Sequence, residues 1–269
     1  MAVEEVLSAL PPIAVFCEPM QPHSLPCLEA EARTEAERLA AALASVPAFG
    51  TTTGRSAGLR AAAVAAARLV RALPAQGVPF DVDGLPSKSP VQSYFRVRTA
   101  ALTAEQAARQ AASVIHRGLM DLCEAPLSGS DIARETAAMR QVVLDLAGIT
   151  GHRVRAVEWS GGTPDALSGQ EPRSQEEMWL ARWIIGHQVH VLFNVYATIV
   201  LRAAAERLRT GAVREAIHRL VRATVYVQGF AAARAHAAGL PADFYNTAVR
   251  PTMVPTVVSV PLTTANTMS

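Results

Sequence analysis

SQEEMWLARWIIGHQVHVLFN, residues 174–194, is the stretch whose reading decides the fold. Ser174 is a good N-cap, and Glu177 three residues later completes a capping box, so a helix begins here. Nothing breaks the pattern before Thr210-Gly211, which predicts a helix running to about Leu208. Met178 to Leu201 is long enough to cross a bilayer, but Arg182, His187, Gln188, His190 and Asn194 would be expensive in lipid. The segment therefore reads as a buried core helix, with no membrane as partner.

Working outward, helix signals dominate and strand signals are nearly absent. Residues 28–45 and 55–73 are rich in good helix formers, with apolar positions returning every three or four residues. Further helices are expected over 103–123, from about Ser130 with Asp131 in its first turn to about Leu146, and over 212–237, stopped by Gly239 and Pro241. Residues 76–90 form a long Pro/Gly/Asp-rich loop, and residues 148–173 hold turn signals and one short strand, Val154 to Trp159. From Asp243 onward the composition changes. Pro251, Pro255 and Pro261 argue against helix and their β-branched neighbours suit an extended chain, which predicts a C-terminal arm over 251–269. Such an arm could be exchanged with a second copy, so a homodimer is a candidate assembly. With no internal repeat and no composition shift, the expectation is one all-α domain over 1–269, built on a long central helix.

A chain of 269 residues buries roughly 75% of its unfolded surface, which leaves room for an enclosed ligand. The 25 basic residues nearly balance the 23 acidic ones without clustering, so no nucleic-acid partner is expected. Cys17, Cys27 and Cys123 show no paired spacing and read as reduced thiols. The N-terminus lacks the basic region and cleavage pattern of a signal peptide, and together these point to the cytoplasm.

Chemistry concentrates on the central helix. His187 and His190 are i and i+3, and His190 and Asn194 are i and i+4, so they share a face with Trp183. Gly186 costs about 1 kcal/mol relative to Ala inside a helix. That cost is offset if a flat group such as a porphyrin approaches the backbone, or if another helix crosses closely. Imidazole is a common haem ligand, and a single protein histidine leaves the other iron face open to oxygen or peroxide. The competing reading makes both histidines satisfied core or interface residues.

Other chemistries lack their residues. Two histidines supply half of a closed zinc site, neither has a Glu three residues before it as a di-iron bundle requires, and no Asp-rich, phosphate-loop or nucleophile-elbow motif is present. Tyr94-Phe95-Arg96-Val97-Arg98 sets arginines beside aromatic rings. It reads either as a clamp for a carboxylate on an aromatic molecule or as a surface helix start with solvated arginines. Phe244-Tyr245 and Arg250-Pro251 admit the same two readings.

QSYFR, residues 92–96, resembles the FQSYQFR element of tryptophan 2,3-dioxygenases, in which Arg binds the substrate carboxylate. The helix from Glu176 to Asn194 resembles the one bearing the proximal histidine in the histidine-ligated, haem-dependent aromatic oxygenases. The late histidines and the DFYNTAVRPTMVP tail look most like the bacterial L-tyrosine 3-hydroxylases of natural-product pathways. A related tyrosine-derivative hydroxylase carries HxNxxHxxxC, in which the second His ligates iron and the Cys holds haem covalently. Laid on Ile185 to Asn194, His187 falls on the Asn position, His190 on the ligand and Asn194 on the Cys. The glycine-rich GTGGS element of the dioxygenases is absent, and residues 74–90 lack the distal His of the tyrosine hydroxylases.

The resemblance implies non-covalent haem b with His190 as the iron ligand. Gly186, Trp183 and Asn194 would line the haem, and His187 would be a catalytic neighbour or the second choice of ligand. Tyr94 and Arg96 would hold the substrate, with Arg250 as an alternative clamp. The implied activity is 3-hydroxylation of an aromatic amino acid, L-tyrosine to a catechol, using hydrogen peroxide or oxygen with a reductant. A tryptophan or indole oxygenase of the same superfamily, and a helical small-molecule binder without activity, are the alternatives.

Overall fold

The computed structural model describes residues 10–16, 28–47, 52–75, 97–100, 102–149 and 174–253. In chain order these form β1 (Ile13–Phe16), α1 (Ala30–Ala44), α2 (Thr52–Ala72), β2 (Val97–Ala100), α3 (Ala104–Leu122), α4 (Gly129–Leu146), α5 (Gln175–Arg209) and α6 (Val213–Ala237). A short α7 (Ala242–Phe244), a π-turn over Tyr245–Val249 and α8 (Arg250–Met253) follow. The fold is all-α, as expected.

Local chemistry sets the helix ends. Thr103 accepts from the Gln106 backbone and Gln106 answers to the Thr103 N–H, closing a capping box on α3, while Ser128 caps α4. Ser174 and Glu177 make the box on α5 that the residue pattern predicts. Arg109 donates to the carbonyls of Val70 and Leu73 and so satisfies the end of α2. Gly211 turns α5 into α6 with φ +76°, a conformation open to glycine at little cost.

The strands differ from expectation. Val97 and Arg98 belong to an extended segment rather than to a helix start. Its partner is the distant Ile13–Phe16, paired in parallel with Ile13 opposite Val97 and Phe16 opposite Ala100. The Gln110 side chain fastens β1 to α3, accepting from Ala14 N at 2.7 Å and donating to Ala14 O at 2.8 Å. The strand expected at 154–159 lies outside the described residues. Residues 251–253 also correct the reading: this start of the expected extended arm is helical, continuing the run from Ala242. Pro251 continues the helical run directly after the π-turn, although it has no N–H to donate to the preceding turn. The remainder of the expected arm lies outside the described residues.

Packing joins α5 and α6 as an antiparallel pair, α6 lies on α4, and α3 meets α5 from another side. The buried apolar residues, from Leu10 through Leu39, Leu69, Ile115, Met139 and Phe193 to Val249, form one contiguous cluster. Most of the apolar window of α5 is buried within the protein, as a core helix requires.

A polar knot crosses this apolar interior. His236 on α6 is fully buried, with Nδ1 2.8 Å from Glu135 Oε1 on α4 and Nε2 2.7 Å from Asp121 Oδ2 on α3. Arg182 on α5 donates to the same Asp121 oxygen at 3.0 Å and to the Gly239 carbonyl at 3.1 Å. One residue from each of four helices thus meets in a single network. Burial alone would strip the proton from His236, but Glu135 and Asp121 overcome it and raise its pKa to about 9.

A proton kept to about pH 9 in the folded protein but released near 6.5 when unfolded is worth on the order of 3 kcal/mol. The folded state binds more protons across that window, so the contribution is complete below pH 6.5 and is lost as pH rises to 9. Urea unfolding from pH 6 to 9.5 should show this decline, and His236→Gln should flatten it.

Candidate functional site

Successive residues turn by about 100° around a helix, so His187, His190 and Asn194 fall within one outward sector of α5. In that sector both histidines are half-buried and Asn194 is exposed. α6 forms one wall. The Phe230 ring lies 5.2 Å from that of His190, and Arg234, one turn further along the same face, lowers the proton affinity of both histidines. Above His187, Trp183 packs with ring centroids 4.2 Å apart, and Tyr245 from the π-turn backs Trp183 at 5.4 Å. Phe244 packs similarly on Trp179 at 5.2 Å, so residues 242–249 close the upper end of the face.

The two imidazoles are prepared differently. His187 Nδ1 lies 2.7 Å from the carbonyl of Trp183, an acceptor, so Nδ1 carries the proton and Nε2 carries the lone pair. Burial is the main force lowering its pKa to about 4, opposed by the Trp183 bond and reinforced by His190 and Arg234. His190 is also held below its ordinary value, first by burial, although the Phe230 backbone is close enough to favour the charged ring. Its Nδ1 is buried without a well-aligned hydrogen bond. Both rings are therefore neutral at physiological pH, the state in which imidazole binds a metal.

Among the described residues no cluster of His, Cys, Asp and Glu could hold a bare ion. The donor set suits a metal that brings its own equatorial ligands and takes one imidazole, which is the requirement of haem iron.

The structure sorts the expected residues unevenly. It brings Trp183, His187, His190 and Asn194 to one face and surrounds them with Phe230 and Arg234, which nothing in the residue pattern of 212–237 distinguished. Gly186 is a correction. A Cβ there would lie 2.6 Å from Ala237 N and 2.7 Å from Ala237 Cα, so the glycine serves the α5–α6 crossing and its face is filled by protein, not offered to a porphyrin. Arg250 is exposed on α8, and no hydrogen bond or ion pair among the described residues ties it to the histidine face. Tyr94 and Arg96 lie outside the described residues.

A family model described as SfmD 3-methyl-L-tyrosine peroxygenase matches residues 14–266. No curated protein and no solved structure matches the chain.

The crossing at Gly186 can be tested without any ligand. Gly186→Ala gains up to about 1 kcal/mol of helix propensity but forces a methyl into backbone, a strain of about 1–3 kcal/mol. The haem-free variant should lose about 1–2 kcal/mol in urea unfolding, and Ala237→Gly should not rescue it because the first contacts are backbone atoms. Unchanged stability would mean that Gly186 faces open space.

Proposed function

The chain belongs to the SfmD 3-methyl-L-tyrosine peroxygenase family, and from that footing we propose that it hydroxylates a tyrosine-type amino acid with hydrogen peroxide at a haem held against the outer face of α5. The net change is insertion of one peroxide oxygen into a ring C–H bond beside the phenol hydroxyl, with the second oxygen leaving as water. L-tyrosine is the proposed substrate, giving a catechol. The observation that carries the reading is the pair of neutral, half-buried imidazoles one helical turn apart, flanked by Trp183, Phe230 and Arg234.

Haem bound here supplies the activation of the peroxide oxygen. The protein's own groups do the rest. His190, which falls on the ligand position of the resembled pattern, takes the iron. His187, with its Nδ1 proton committed to the Trp183 carbonyl, keeps an unprotonated Nε2 that can accept a proton from peroxide or phenol. Phe230, Trp183 and Tyr245 give the face apolar walls that exclude water and match an aromatic ring. Arg234 places positive charge beside the histidines, which favours a porphyrin bearing carboxylates. Asn194 stands where the covalently haem-binding relative has Cys, so haem is held here without a thioether.

A second reading exchanges the histidines. Metal-bound imidazoles commonly donate their other N–H to a carbonyl, and His187 already makes that bond. Variants separate the two: with His190 as ligand, His190→Ala purifies without haem and His187→Ala keeps it, whereas the reverse result moves the ligand to His187. Acidified organic solvent should extract all the haem. Wild-type protein supplied with haem precursor should show a Soret band that shifts with L-tyrosine or 3-methyl-L-tyrosine more than with L-tryptophan, and peroxide should then yield the hydroxylated amino acid. Protein that stays colourless with added haemin would overturn the proposal.

A further inference from the structure

On the flank of this face stands Arg117, whose charge the described residues leave unmatched. It extends from α3 toward α5, where its NH2 nitrogen donates to the Gln188 side-chain oxygen at 3.0 Å. Gln188 is held in turn, its amide nitrogen donating to the Pro11 carbonyl at 3.2 Å just before β1. Arg117 Nε is buried with no hydrogen-bond partner, and among the described residues no carboxylate pairs with the guanidinium. Contrast Arg182 and Arg222, which are matched by Asp121 and Asp145. Burial alone pulls the pKa of Arg117 down to about 10, which leaves it charged at physiological pH.

A half-buried guanidinium whose Nε is buried and which meets only a neutral amide among the described residues is better satisfied by an anion than by that amide. A guanidinium whose one terminal nitrogen is fixed by an amide, with its Nε edge still unmatched, suits a planar carboxylate. Position also matters. Gln188 is the next residue after His187, about 100° around α5, so Arg117 stands on the flank opposite Phe230 and Arg234.

We propose that Arg117, positioned by Gln188, binds a carboxylate at the edge of the histidine face, and that this carboxylate is the α-carboxylate of the amino-acid substrate. The assignment rests on the haem-oxygenase reading for the identity of its ligand. It would supply the clamp that orients the phenol ring toward the site. A haem propionate presents the same chemistry, and the test separates the two.

Wild-type protein, Arg117→Met and Arg117→Lys would be compared in three measurements: thermal shift of the haem-free chain with L-tyrosine and with tyramine, which lacks the carboxylate; Kd of the same two molecules for the haem-loaded protein; and uptake of haemin against its dimethyl ester. Wild type should prefer L-tyrosine over tyramine by roughly 10- to 100-fold, the range of a charge-assisted hydrogen bond. Arg117→Met should erase the preference while still taking up haemin, and Arg117→Lys should restore part of it. Loss of haemin uptake in Arg117→Met, with dimethyl ester already weak in wild type, would overturn the substrate assignment in favour of the propionate. Equal preference in wild type and Arg117→Met, with haemin uptake unaltered, would overturn the carboxylate site altogether. Failure of all three proteins to take up haemin would sink the haem reading alone, since the thermal shift of the haem-free chain judges Arg117 separately.

Discussion

The buried network of Asp121, Glu135, Arg182 and His236 is the constraint on which the rest of this fold depends. It draws one charged residue from each of α3, α4, α5 and α6, and its three links join residues 61 to 115 positions apart. An apolar interface rich in alanine can slide by a turn with small loss, because one methyl replaces another. A network in which a single carboxylate oxygen receives both Arg182 Nε and His236 Nε2 cannot. It sets register, and that is the better-founded use of buried charge than stability as such.

Register matters because of what lies one turn away. Arg182 precedes Gly186 by four residues, and His236 directly precedes Ala237, so the network and the Gly186–Ala237 contact lock the same crossing. Once α5 and α6 touch there, Phe230 falls opposite His190, and Arg234 comes near both histidines. The outward face of α5 is then what remains after α6 has covered one flank, while α3 and β1 cover the other. The candidate site is a consequence of helix packing as much as of its own residues.

This explains which parts were legible in the sequence. The starts of α3, α4 and α5 are capped by side chains within three residues, such as Ser174 with Glu177, so local chemistry predicted them closely. The shared face of His187, His190 and Asn194 follows from helical periodicity alone. What faces Gly186 does not, because Ala237 lies beyond an entire turn and helix, and a porphyrin and a crossing helix make the same demand for a missing Cβ. The β1–β2 pair escaped for a related reason: four residues at Ile13–Phe16 and four at Val97–Ala100 carry too little pattern apart, and become strands only when paired. Arg117 was passed over because an arginine in an amphipathic helix is ordinary until its surroundings are seen, and among the described residues these hold no paired carboxylate.

Histidine charge shows most directly how the fold distributes function. His236, His187 and His190 are all withdrawn from water, and burial acts on each to remove the proton. At His236 two carboxylates reverse the outcome, and the ring becomes a cation that ties helices together. At His187 and His190 the neighbours are a backbone carbonyl, aromatic rings and Arg234, so burial prevails and the rings keep a lone pair. The acidic residues are spent on the interior knot, while the histidine face is left with cationic neighbours at Arg234 and, across α5, Arg117. Arg234 disfavours protons on both imidazoles, and either cation attracts carboxylates of the kind that a haem and an amino acid carry.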